Sequence, residues 1–246
     1  MEFFLVVVVG LAGGFMVNYL SDVLPVLRKL VHPQCMRCNH SYTRIDYALL
    51  RRCGHCQARR TTRAWIIQLG MPILALYFLL LPPGRLGTWV GLLVAMYLIL
   101  VVVIDIEHRL VLHPVSLFGI AAGAVLGWQL HGLTSMLLGG LFGFGSMLAF
   151  YFLGDWYAHW TSKKRGQEYE DSALGFGDVM LSAVIGVSTG WPQVVGALLL
   201  GILLGGVFSA GYVVVQLIRK KYSPMAAIAY APFLALACAI FLFLPK

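Results

Sequence analysis

Two aspartates stand where a carboxylate is costly. Asp105 closes the apolar run from Leu98 to Ile104, and Asp178 follows the glycines of Gly175-Phe176-Gly177. An ionisable group at the edge of a long apolar segment is expensive to keep there and marks a candidate functional position. Two carboxyls held close together cannot easily both ionise, so one of them keeps its proton at neutral pH. The ionised partner can then take a proton from water while the protonated partner donates to a carbonyl oxygen. That is the chemistry of peptide hydrolysis without a metal or a covalent intermediate. Glycines at 175 and 177 remove side chains beside Asp178, which would let a substrate backbone come close. On the residues alone a plainer reading stays open, with both aspartates capping helices at a membrane interface. Asp178 would suit a helix N-terminus, whereas Asp105 at a helix C-terminus would oppose the macrodipole unless the next helix begins there.

A second cluster has metal-ligand spacing. Cys35-Met36-Arg37-Cys38 and Cys53-Gly54-His55-Cys56 form C-x2-C-x14-C-x2-C. Each C-x2-C turn sets two sulfurs on one side of an ion, and zinc favours four thiolates in a tetrahedron. Four cysteines complete the shell without help from His32, His40 or His55. No position remains for water, so the expected zinc is structural and folds a short polar segment that lacks a core of its own. The fifth cysteine, Cys238, lies in an apolar stretch and reads as a small buried residue.

The elements that must position these groups are membrane helices. Of 246 residues 60% are hydrophobic and only 11% charged, against roughly 25% charged in soluble domains. Continuous apolar runs of about twenty residues recur along the chain, and within lipid only helices or closed barrels satisfy the backbone. The runs lack the period-two alternation of barrel strands. Eight spans are expected, at about 3–27, 65–82, 86–104, 110–130, 133–157, 178–190, 193–218 and 225–245. The sixth is short and is expected to begin in the loop before it. The first has no basic region before it and no small-residue cleavage site, so it reads as a retained helix. The chain divides into residues 1–31, a first helix and its exit; 32–63, the zinc-binding segment; and 64–246, the helical core.

Charge gives the sidedness. Alternating the eight spans leaves all but Arg85 and Lys246 of the 18 Lys and Arg residues on one face. By the positive-inside rule that face is cytoplasmic and both termini lie outside. The net charge of +8 then reflects topology and contact with anionic lipid, with no need for nucleic acid. In this arrangement Asp105 and Asp178 reach the same depth on the cytoplasmic face, the face that also carries the zinc segment.

Taken in order, these motifs resemble the bacterial type IV prepilin leader peptidases. Gly14-Phe15, Asn18 and Leu24-Pro25 resemble the family's opening motif, and the cysteine pairs at 35, 38, 53 and 56 follow. Asp105-Ile106-Glu107-His108-Arg109-Leu110 resembles the segment with the first catalytic aspartate, and Gly175-Phe176-Gly177-Asp178 the G-x-G-D motif with the second. Ala231-Pro232-Phe233-Leu234-Ala235-Leu236 is similar to the family's last conserved run. The resemblance implies an aspartic endopeptidase of the bacterial inner membrane, with Asp105 and Asp178 as catalytic dyad. It implies substrates that are type IV prepilins and type II secretion pseudopilins, cut on the cytoplasmic side between a basic leader and an apolar helix. Glu168, Glu170 and Asp171 are candidates to attract that leader.

The chain also departs from the family. Met180 stands where a lysine usually follows G-x-G-D, and Leu112-His113-Pro114 replaces the commoner isoleucine-proline-aspartate run. The stretch between the cysteine pairs is shorter than in many relatives. Many members also methylate the new N-terminal amine with S-adenosylmethionine; no residue here is assigned to that cofactor, and the activity stays open. Two rivals make different demands. An assembly factor docking a partner through its zinc ribbon would need the cysteines and not the aspartates, and a transporter would place its acids near the bilayer midplane.

Overall fold

A computed structural model of the chain describes residues 1–35, 37–165, 175–219 and 229–244. The described residues form nine helices: α1 (Glu2–Leu27), α2 (Arg44–Ala48), α3 (Thr62–Leu80), α4 (Gly87–His108), α5 (His113–His131), α6 (Leu133–Arg165), α7 (Phe176–Thr189), α8 (Gln193–Ile218) and α9 (Ala231–Phe243). Among them the only β pairing is a single bridge between Gln34 and Ser41. Apart from the short α2, every helix falls on an expected span. Five are long and apolar enough to cross a membrane: α1, α3, α4, α8 and the Leu133–Trp156 part of α6. The chain is therefore an all-helical, multi-pass membrane protein. The acidic run Glu168, Glu170 and Asp171 lies outside the described residues.

The described residues form two compact units, Met1–Ile104 and Asp105–Leu244. In the first unit α1 packs on α3. Gly10 and Gly14 lie one turn apart on the contact face, the small-residue spacing that lets two membrane helices approach closely. A Cβ on Gly10 would come 2.5 Å from Pro72 Cα, and one on Gly14 would come 3.1 Å from Gln68 Cα. Asn18 adds a buried cross-helix bond, its Nδ2 donating to the Ala64 carbonyl at 3.0 Å. Helix α1 stops at Arg28, which takes the left-handed conformation (φ 52°) and returns its N–H to the Leu24 carbonyl. Helix α3 starts on Thr61, whose hydroxyl accepts the Ala64 N–H at 3.4 Å.

The segment joining them carries the four cysteines. It has a small core after all, borrowed in part from α1. Cys35, Tyr42, Tyr47 and Cys53 are buried together, with Phe15 and Tyr19 of α1 against them. Tyr47 meets Phe15 edge-on at 5.8 Å. Its hydroxyl donates to Asp22 at 2.6 Å, and Arg60 donates to the same carboxylate at 3.0 Å. Arg63 completes the ion pair with Asp22.

In the second unit α7 is the central helix, with eleven of its 14 residues buried. Glycines on its neighbours make room for it. A Cβ on Gly139 of α6 would come 2.4 Å from the Gly186 carbonyl oxygen, and one on Gly143 would come 2.4 Å from that of Ser182. Inside α7 the hydroxyls of Ser182, Ser188 and Thr189 donate to the carbonyl four residues back at 2.7–2.8 Å, so none needs an outside partner. At about 21 Å, α7 is shorter than the hydrocarbon core. That is tolerable because protein rather than lipid surrounds it. Its C-terminal exit is tied to the start of α6, where the Trp191 N–H donates to the Ser135 carbonyl at 2.9 Å.

Candidate active site and metal centre

Helix α4 does not stop before Asp105. It runs on to His108, so Asp105 projects from its final turns and is 6% exposed. The helix closes at Arg109, which adopts φ 52° and donates its N–H to the Asp105 carbonyl at 2.8 Å. The Asp105 side chain finds its partner 126 residues away, with Oδ2 accepting the Ala231 N–H at 3.0 Å in a buried hydrogen bond. Ala231 is the first residue of α9, with Pro232 behind it. The positive end of one helix thus meets a carboxylate near the negative end of another, which answers the unfavourable macrodipole of α4.

Asp178 lies in the first turn of α7, where a carboxylate suits the dipole, and is 9% exposed. Its N–H donates to Gly175, which caps the helix, at 3.0 Å. The two carboxyl groups lie within Coulombic reach of each other. Both sequence-predicted aspartates are therefore buried near helix ends within the second unit.

The two motif glycines divide their roles. Gly175 is exposed, and a Cβ there would lie 3.6 Å from Asp178 Oδ2, so its absence leaves the carboxylate open on that side. The space that Gly177 leaves is filled by the chain itself, since a Cβ there would come 2.5 Å from Val111 Cβ. Phe176 between them stacks on His113 at 6.1 Å and meets Tyr151 edge-on at 6.0 Å. His113, one of the departures noted above, thus steadies the G-x-G-D turn. Tyr230, immediately before Ala231, is also within electrostatic reach of Asp178 and lays its ring over Gly205. Met180 is half-buried in α7.

Sequence reasoning missed Val111, Tyr151, Tyr230 and the Ala231 N–H. Only the last had a signal, the run from Ala231 to Leu236, and it named the segment without its task.

The cysteine sulfurs gather in the first unit. All four Sγ atoms lie within 4.8 Å of one another, with Cys35–Cys56 and Cys38–Cys53 at 3.6 Å. A tetrahedral ion with bonds of about 2.3 Å spaces its sulfurs by slightly under 4 Å, so the set fits zinc. Its electrostatics also call for a cation. Burial raises the Cys35 thiol, yet the N–H groups of Arg37 and Cys38 and the Tyr42 hydroxyl outweigh it and bring the thiol down to about 6. For Cys38, an N–H from His40 favours the thiolate, but burial and the other three sulfurs prevail and push it up to about 12. Four thiolates crowd one another unless a divalent ion sits among them.

Residues 92–210, which include both aspartates, match the family model described as the type IV leader peptidase family. The chain is similar to the prepilin leader peptidase/N-methyltransferase of Aeromonas salmonicida, at 29% identity over 215 residues, covering 82% of this chain and 68% of that one. The protein of the same name from Aeromonas hydrophila is 28% identical over the same shares. That of Myxococcus xanthus is 27% identical, over 81% of this chain and 60% of the relative. No solved structure matches the chain.

Proposed function

We propose that this chain, whose residues 92–210 match the model of the type IV leader peptidase family, removes the basic leader from type IV prepilins and type II secretion pseudopilins at the cytoplasmic face of the bacterial inner membrane. The observation that carries this reading is the burial of Asp105 and Asp178 near helix ends, within Coulombic reach of each other. In this reading a water lies between the carboxyls. Asp105 already accepts an N–H that stabilises its carboxylate and is the ionised partner. It takes a proton from the water as the water oxygen attacks the scissile carbonyl carbon, and Asp178 gives its proton to the carbonyl oxygen. The intermediate collapses as Asp105 passes the proton to the leaving amine nitrogen and Asp178 recovers one from the hydroxyl. The C–N bond breaks, and both carboxyls return to their starting states.

The open side at Gly175 is where an extended substrate backbone would enter. The cysteine cluster would hold one structural zinc ion through Cys35, Cys38, Cys53 and Cys56, and the ion takes no part in hydrolysis. Methyl transfer, the second activity in the relatives' names, would use S-adenosylmethionine and act on the amine that cleavage exposes.

The test is cleavage of a purified prepilin in detergent by the wild-type protein, Asp105→Asn and Asp178→Asn. Each variant is expected to lose about 10²- to 10⁴-fold in rate, the usual worth of a general acid or base. Wild-type activity in either variant would break the dyad. A labelled methyl donor in the same assay reads the second activity.

A further inference from the structure

The first unit contains a cavity of about 410 Å³ that the hydrolytic chemistry does not use. Its lining includes Asp22 near the end of α1, Cys35, Arg37 and Tyr42 of the joining segment, and Arg59, Arg60 and Thr61 before α3. The charges around it are unequal. Asp22, the only carboxylate among the described lining residues, is already committed to Arg60, Arg63 and the Tyr47 hydroxyl. Arg60 is further held over the rings of Tyr47, at 4.3 Å, and Tyr42, at 5.1 Å. The sulfurs of Cys35 and Cys53 are served by backbone N–H groups of Arg37, Cys38, His55 and Cys56 and by the Tyr42 hydroxyl. The guanidinium groups of Arg37 and Arg59 have no ion pair among the described residues, and both residues are exposed. Two arginines without an ion pair among the described residues thus line one cavity. Thr61, where α3 begins, adds the positive end of a 19-residue helix.

Phosphate is the group this arrangement fits, since guanidinium binds it through two parallel N–H bonds. The depth of the cavity says what would carry the phosphate. Asp22 lies near the end of α1 and Thr61 at the start of α3, and both of these helices are long and apolar enough to span a membrane. The cavity is therefore at the level of lipid headgroups. The chain entering and leaving it carries exposed apolar side chains, Val26 in the last turn of α1, Leu30 just beyond it, and Trp65 and Ile66 near the start of α3. Trp65 at that position suits the aromatic belt of the interface. The segment is also tied back to α1, as the Tyr19 hydroxyl donates to the Val31 carbonyl at 2.9 Å.

We infer that this cavity binds the phosphate headgroup of an anionic phospholipid, held by Arg37 and Arg59, with acyl chains lying along the apolar residues of α1 and α3. Such a lipid would fasten the metal segment to the bilayer surface. The inference does not depend on peptidase activity.

The test uses the purified full chain, zinc-loaded, in neutral detergent, with lipid retention read by native mass spectrometry. Dioleoyl phosphatidylglycerol, dioleoyl phosphatidylcholine and inorganic phosphate are the three probes. The wild type is expected to retain one phosphatidylglycerol at least about tenfold better than phosphatidylcholine. Arg59→Gln and the double variant Arg37→Gln/Arg59→Gln are expected to lose that preference while keeping one zinc per chain. Arg37 lies between two metal ligands, so if its variant loses zinc, Arg59→Gln alone decides. Equal retention of both lipids by the wild type, or undiminished preference in zinc-loaded Arg59→Gln, overturns the inference. Inorganic phosphate competing at the same concentration as phosphatidylglycerol would make this a small-anion site and overturn the lipid reading.

Discussion

Asp105 and Ala231 are separated by 126 residues and joined by one buried hydrogen bond. A bond from a backbone N–H to a carboxylate contributes about 1.5–3 kcal/mol. Ala231→Pro deletes that donor at the first position of a helix, and also disfavours the αR conformation that Tyr230 holds before it. Cleavage by this variant is expected to fall about tenfold or more, while Ala231→Gly, which keeps the N–H, stays within about threefold of wild type. Equal rates for the proline variant and wild type would show that the contact does not position Asp105. The cysteines give a pH test. The metal-free Cys35 thiol lies at about 6, below the ordinary thiol range, so the thiolate persists above that pH and is protonated as pH falls through it. Zinc affinity, measured by competition with a chelating dye, should therefore fall more steeply with pH below about 6, where protons begin to compete for the Cys35 thiolate. An affinity that does not change between pH 7 and pH 5 would contradict this. The aspartates and cysteines were legible because charge in an apolar run and paired thiols are conspicuous in any sequence. The Ala231 N–H was not, since a backbone donor has no side chain to announce it. Tyr47, Asp22 and Arg60 were overlooked for another reason: a salt bridge across 38 residues, with a tyrosine on it, leaves no local pattern.

At the scale of elements, α7 decides whether the site forms, because it carries Asp178 on a helix wedged among glycines. A Cβ on Gly127 of α5 would lie 1.8 Å from the Val187 carbonyl oxygen, and one on Gly186 would lie 2.2 Å from that of Gly139. Backbone has to move in either case, and overpacking typically costs 1–3 kcal/mol. Gly127→Ala and Gly186→Ala should therefore lower the melting temperature in detergent and reduce cleavage together. Gly145→Ala in α6 meets nothing within 4 Å and should change neither. Loss of stability at Gly145 equal to that at Gly127 would refute the wedge. The helices themselves were readable from apolar runs, and the glycines from their membrane packing habit. Their ends were harder. Hydropathy closes the third span before Asp105, whereas α4 continues to His108 because Ala231 satisfies the carboxylate from outside the helix. Gly177 is a similar case. A glycine beside a candidate catalytic aspartate suggests room for substrate, yet Val111 takes up that room.

For the whole molecule, the number of crossings sets where each charge can lie. Five helices have the length and composition to cross alone, and α5, α7 and α9 coincide with the three remaining spans. The two shortest, α7 and α9, have 14 and 13 residues, yet protein contacts relieve a buried helix of matching the lipid thickness. If all eight cross, the termini share one side and the basic residues share the other. If α5 or α7 failed to cross, the basic groups at 163–165 and 219–221 could no longer both join the 28–63 segment. That would strand cationic residues outside, against the positive-inside bias. A phosphatase reporter, active only outside the cytoplasm, is expected to be active when fused after Lys246 and near Arg85, and silent when inserted after Arg52 or Gly166. Activity after Gly166 would put the acidic run Glu168, Glu170 and Asp171 outside, away from the basic leader it is read to attract. It would also move the Asp178 end of α7 to the wrong face for cytoplasmic cleavage, so the position of this one fusion bears on both the topology and the chemistry.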